Sequence, residues 1–167
     1  SEGAFWHKQR YPHQLWLDGV YMGMPFLAGV GVMDGDEHKI EEAAREFTIA
    51  RFHTRDAETG LYYHAWDEAK EQVWADPETG HSRYFWGRGL GWYAMALVDI
   101  RDVIPADKTE LREPLLAIIP ELADTLVQTQ DETGTWYQIM DMPEAVGNYR
   151  EASGSAMFTY FLAKAIN

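Results

Sequence analysis

The sequence predicts an all-α protein made of repeated helix hairpins, and three observations carry that prediction. Apolar helical stretches alternate with amphipathic ones along the 167 residues. Matching segments recur: Trp16-Leu17-Asp18-Gly19 and Trp86-Gly87-Arg88-Gly89 stand 70 positions apart, and the Glu-Thr-Gly turns at 58–60 and 132–134 stand 74 apart. Each unit reads as an outer amphipathic helix, a turn, an aromatic extended loop and an inner apolar helix. Stacked hairpins of this kind make a solenoid or a closed ring. The length fits one domain.

Residues 1–12 read as irregular, ending at Tyr11-Pro12, where the proline restricts its predecessor. From about His13 to Val32 apolar residues recur nearly all round, which predicts a buried inner helix with Pro25 as a kink or break. Asp34-Gly35-Asp36 is a turn, and Asp36 is placed to cap an outer helix over Glu37–His53 with Ile40, Ala43, Ala44, Phe47 and Ala50 on one face. Leu61 to Asp67 alternates and is aromatic, so it is a short strand or extended loop. A polar connection through Pro77-Glu78-Thr79-Gly80 leads to Phe85–Trp92 and an inner helix from Tyr93 to about Val103. The next outer helix spans Thr109 to Gln130, with Pro114 in its first turn and Pro120 as a kink. Asn148 to Gly154 then opens a last inner helix, Ser155–Ile166.

Composition narrows the function. Hydrophobic residues make up 46% and suffice for a core, while the 14% aromatic share, with 7 Trp and 9 Tyr, offers stacking platforms for sugars as well as core filling. The net charge of −13 disfavours nucleic acid and requires that any anionic ligand meet a local cation. With no cysteine, disulfides, thiolate chemistry and cysteine-rich zinc sites are excluded. No stretch has the run of about 18 apolar residues that reads as a membrane helix. A cytoplasmic location fits, and secretion is also open. The chain has no initiator Met and stops on an apolar helix without a cap, so it is expected to be a piece of a longer protein.

Asp18 is the first chemical candidate. A carboxylate at a helix start is favoured by the macrodipole alone, but Trp16 and Met22 flank it, and a carboxyl group held against apolar walls has a raised pKa and donates a proton near neutrality. Arg88, between Gly87 and Gly89, suits a bidentate grip on a carboxylate ligand; the plainer alternative is an ordinary salt bridge. His7 and His64 precede inner helices beside aromatics, as structural histidines or as groups facing a ligand. With Asp18 they also make a conceivable two-histidine, one-carboxylate set, but no tight ligand spacing supports a metal, and neither metal nor cofactor is assigned. Trp16, Trp86 and Trp92 are core residues by default; in a ring, Trp16 and Trp86 become stacking candidates. Asp18, Arg88 and Arg150 all stand at inner-helix starts, which a closed ring would bring together.

The block from Phe5 to Gly23, with His64-Ala65-Trp66-Asp67, Phe85–Trp92 and Tyr149–Ser155, resembles the unsaturated rhamnogalacturonyl hydrolases, glycoside hydrolase family 105, and in part the related unsaturated glucuronyl hydrolases of family 88. The resemblance implies an (α/α)6 barrel, of which residues 1–167 would be part of a single six-hairpin domain with both barrel ends missing. It implies Asp18 as catalytic acid/base and His7, Trp16, Met22, His64, Trp86 and Arg88 as substrate-binding residues. The implied partner is a short oligosaccharide bearing a 4,5-unsaturated uronic acid at its non-reducing end, from pectin breakdown. Removal of an unsaturated galacturonic acid from rhamnogalacturonan is the expected reaction. An unsaturated glucuronyl hydrolase and a non-catalytic sugar-binding helical ring are the alternatives.

Overall fold

A computed structural model describes residues 3–166. Five helices dominate it: α1 (Leu17–Asp34), α2 (Glu37–Thr54), α3 (Gly87–Val103), α4 (Thr109–Gln128) and α5 (Ala152–Ala165), with two short strands, β1 (Gln14–Trp16) and β2 (Ala65–Asp67). Helices α1, α3 and α5 pack side by side as an inner row, and α2 and α4 lie behind them as an outer row. This is an arc of the (α/α)6 barrel, inner and outer helices alternating along the chain.

Helix α3 is the centre of the core. Its Leu90, Tyr93, Ala94, Leu97 and Ile100 are fully buried, against Phe47 of α2, Leu126 of α4 and Phe158 and Phe161 of α5. Each large apolar side chain so placed contributes roughly 1.5–3 kcal/mol. The Tyr93 hydroxyl, sent into this interior, is satisfied: it donates to Phe47 O at 3.0 Å. The outer row is tied by charge, with Arg51 and Arg55 each 2.7 Å from the Glu121 carboxylate.

The Glu-Thr-Gly turn occurs three times rather than twice. Asp56, Asp76 and Asp131 each accept from a threonine amide and hydroxyl, at Thr59, Thr79 and Thr133. Each turn reverses the chain into an aromatic segment. At the middle copy Gly80 has φ +83°, and a side chain there would run into the Asp67 carbonyl.

Several boundaries differ from the sequence reading. Helix α1 begins at Leu17, not His13, because Gln14–Trp16 pair antiparallel with Ala65–Asp67 in the register Leu15 to Trp66. Helix α3 begins at Gly87, not Tyr93, its glycines being helical. Helix α5 begins at Ala152, not Ser155, because the Glu151 carboxylate accepts from the Ser153 and Gly154 amides and caps it. Asp36 stands at the start of α2 but forms no cap; its carboxylate turns to Lys39 Nζ at 3.4 Å. Neither Pro25 nor Pro120 breaks its helix, and Pro114 lies in the second turn of α4, which ends at Gln128. None of the described helices is long and apolar enough to cross a membrane.

Candidate active site

The starts of α1 and α3 hold the site, and the β1–β2 pair aligns them. The Leu17 amide donates to His64 O (2.9 Å), so His64, just before β2, is fixed beside the first turn of α1. Helix α3 approaches closely from the other side. A Cβ on Gly89 would fall 2.5 Å from His64 Cβ, so only glycine admits the His64 side chain at that spot.

Asp18 sits in the first turn of α1, and its Oδ2 is buried with no hydrogen-bond partner among the described residues. Burial pushes its pKa up, against the pull of its own backbone amide and of the Arg88 and Lys8 charges. A buried carboxyl oxygen without a donor favours the protonated acid.

Aromatic rings frame it. His7 and Trp16 stack face to face, 4.6 Å apart and 3° from parallel, with Tyr11 in nearly the same plane orientation 5.8 Å from Trp16. His64 meets Trp16 edge-on at 6.0 Å and Trp86 edge-on at 5.4 Å. The Trp16 indole N–H donates to Gln14 Oε1 at 3.1 Å, which fixes the ring. Like Asp18, His7 and His64 each keep a buried Nδ1 without a partner. Burial pushes the His64 pKa down to about 4, and burial followed by the Lys8 charge lowers that of His7. His64 is therefore a neutral imidazole at neutral pH, able to donate and accept.

Arg88 lies over the Trp86 ring, 4.5 Å from its centroid, with Nη1 3.4 Å from both Glu151 Oε1 and Ser153 Oγ. Both polar contacts are long, so the guanidinium is held by stacking and loosely by its acid. Arg150 does not join it. Its Nε and Nη2 grip Asp131 at 2.8 and 3.1 Å, closing the loop before α5.

Two cavities open here. One, of about 290 Å³, is lined by His7, Trp16, Met22 and Glu46 among others. The other, of about 320 Å³, is lined by His64, Trp74, Trp86 and Tyr84 among others. Asp18 lines neither; Trp16 lines the first, and His64, edge-on to Trp16, lines the second. Met22 is 61% exposed at the first cavity. Trp16 and Trp86 are half-buried, not core; Trp92 is also half-buried, packed on Tyr21 at 4.8 Å. No three His, Asp or Glu side chains come together as a metal-holding group among the described residues.

The sequence reading missed four contributors. Lys8 acts on Asp18 as a cation. Trp74 meets Trp16 edge-on at 6.2 Å. Glu151 both caps α5 and holds Arg88. Glu46, buried on α2, accepts the Phe5 amide at 3.2 Å with either oxygen, and burial pushes its pKa to about 7. Only Glu46 had a sequence signal, as an acid beside Phe47 on the apolar face of its helix.

Inner helices that start at a common aromatic cleft, with outer helices behind them, define the class of (α/α)6 barrels. Within that class the chain belongs to Glycosyl Hydrolase Family 88, whose family model matches residues 1–167. It is 41% identical over 146 residues to the 24.9 kDa protein in the picA locus of Rhizobium radiobacter, covering 86% of this chain and 60% of that protein. It is 31% identical over 150 residues to the unsaturated rhamnogalacturonyl hydrolase YesR of Bacillus subtilis, covering 87% of this chain and 39% of YesR. Its fold matches the family 105 glycoside hydrolase structure from C. acetobutylicum with a TM-score of 0.94 at 44% identity, over 99% of this chain and 46% of that one. The chain thus spans roughly half the length of the relatives it matches.

Proposed function

We propose that this chain carries the proton-donating half of an unsaturated uronyl hydrolase site, with Asp18 as the general acid. The carrying observation is the buried, unpartnered Asp18 carboxyl oxygen at the start of α1, beside the stacked His7–Trp16 pair. The substrate class is a short oligosaccharide ending in a 4,5-unsaturated galacturonic acid, as on rhamnogalacturonan fragments. The resemblance to YesR supports that substrate.

The terminal ring is a vinyl ether. The Asp18 proton adds to C4, and the π electrons and ring oxygen leave an oxocarbenium-like cation at C5. Water adds at C5 and gives its proton to the Asp18 carboxylate, which restores the acid. The resulting hemiketal opens and expels the neighbouring sugar. Arg88 takes the uronate carboxylate, the local cation that a chain of net charge −13 must supply. His7 and His64 hold hydroxyls or the attacking water. Trp16, Trp86 and Met22 wall the ring.

The test is Asp18→Asn in the full-length protein, followed by the ultraviolet absorbance of the conjugated enol ether. Turnover is expected to fall at least 100-fold, the lower range for loss of a general acid being roughly that size, with ligand binding kept. Near-normal decay of the absorbance in this variant would show that another group is the acid.

A further inference from the structure

The outer helix α2 buries one charged side chain, Glu46, on a face that otherwise holds Ile40, Ala43, Ala44, Phe47, Ala50 and Thr54. A carboxyl group in such a place is costly unless it is hydrogen-bonded. The Phe5 amide supplies the bond, donating to both oxygens at 3.2 Å. Two residues further on, His7 enters the site. The leg that carries it has little apolar anchorage, since Phe5 and Trp6 are 47% and 43% exposed. Polar contacts hold it instead: Phe5 on Glu46, and the His7 amide, which donates to Gln14 O at 2.7 Å.

The seat of His7 is narrow. Its ring stacks on Trp16, and a Cβ on Gly19 would come within 3.0 Å of its Nδ1. Gly19 directly follows Asp18, so His7 rests on the turn of α1 that carries the acid. Glu46 lines the same cavity of about 290 Å³ as His7, Trp16 and Met22.

We infer that Glu46 is a positioning residue for the reaction: by holding the Phe5 amide it sets the His7 ring against Trp16 and Gly19, where that ring serves the substrate. The inference rests on the proposed function above and deepens it. The Glu46 carboxyl group is engaged by the leg and acts through His7. A tie that only stabilises the fold would cost the same in any variant of the site. A positioning tie costs activity only while His7 is there to be positioned.

The experiment is a double-mutant cycle in the full-length protein, with an unsaturated galacturonyl-rhamnose disaccharide as substrate. Glu46→Met removes the acceptor at similar length. It is expected to lower kcat/KM about tenfold, less than the roughly 100-fold that a 1 Å misplacement can cost. In a His7→Ala background the same change should cost less than about twofold. Glu46→Gln keeps an acceptor oxygen and should restore most of the loss. Phe5→Pro removes the donor from the other side, at a half-exposed position, and should act like Glu46→Met. A readout without substrate accompanies the cycle: the carbon-bound ring protons of His7 lie over the Trp16 face, so their NMR signals are shifted upfield and should move back in Glu46→Met. An equal loss of kcat/KM in both backgrounds, or His7 signals that stay in place, overturns the positioning role and leaves the proposed function intact. No turnover of the disaccharide by the unaltered protein overturns both.

Discussion

Asp18 owes its acidity to a balance of opposed effects. Burial and an unpartnered Oδ2 favour the proton, while Arg88 and Lys8 favour the anion. In the proposed mechanism Arg88 thus has two roles, binding the uronate and limiting how far the Asp18 pKa rises. Arg88→Met removes both. Because the acid must be protonated to react, activity falls as pH rises through the Asp18 pKa. Removing a cation raises that pKa, so the basic limb of the kcat/KM profile should move to higher pH. KM should rise by roughly 10- to 100-fold, the size of a lost charge-assisted hydrogen bond. A limb that stays in place or moves to lower pH would separate Arg88 from Asp18. The residue-level candidates were legible because Trp-Leu-Asp-Gly and Gly-Arg-Gly put their chemistry in consecutive positions. Lys8 and Trp74 were not, since nothing local distinguishes a lysine near an acid or a loop tryptophan from any other.

The elements were legible where hydrophobic period is the dominant signal, as in α2, whose apolar face was read correctly. They were misread at helix starts. Gln14–Trp16 continue the apolar pattern of α1 but are drawn into a strand by Ala65–Asp67, a partner about 50 residues away in sequence that no local pattern shows. The start of α5 was placed late because Glu is a weak cap by composition; here its carboxylate is fixed by Ser153, Gly154 and Arg88 at once. Glu46 is a tie between elements. It holds the segment carrying His7 to α2 through the Phe5 amide, while the neighbouring Arg45 guanidinium donates to Gly3 O at 3.1 Å. Burial raises its folded pKa, with the Phe5 amide and Arg45 opposing and Glu42 adding to the rise. The folded state therefore holds more protons than the unfolded one between pH 4.5 and about 7, and stability falls as pH rises through that window. Glu46→Gln should remove the dependence. Thermal melts should show the variant gaining up to roughly 3 kcal/mol on the unaltered protein between pH 5 and pH 8. Parallel melting curves across that range would mean that Glu46 does not titrate there.

At the scale of the molecule, the repeat made the alternation of inner and outer helices legible, and the structure has that alternation. The repeat did not reveal the third Asp-Thr turn, at Asp76, because it sits inside a connection rather than at a hairpin boundary. The charge of the whole chain also has a kinetic consequence. A net charge of −13 repels an anionic uronide at distances beyond the reach of Arg88, and salt screens that repulsion over roughly 10 Å at 0.1 M. kcat/KM should therefore rise with added salt at low ionic strength, as steady-state rates would show. A steep fall would mean that local attraction governs the encounter.

The central claim is proton transfer from Asp18 to carbon, and the most direct test is turnover in heavy water with the product followed by NMR. Hydration by a fixed acid predicts deuterium on one face of C4, at the rate of sugar release, and no such label with Asp18→Asn. Deuterium already on both faces of C4 in the product as it is released, before the new C5 ketone can enolise and exchange C4 in solution, would contradict it, because a fixed acid protonates one face only.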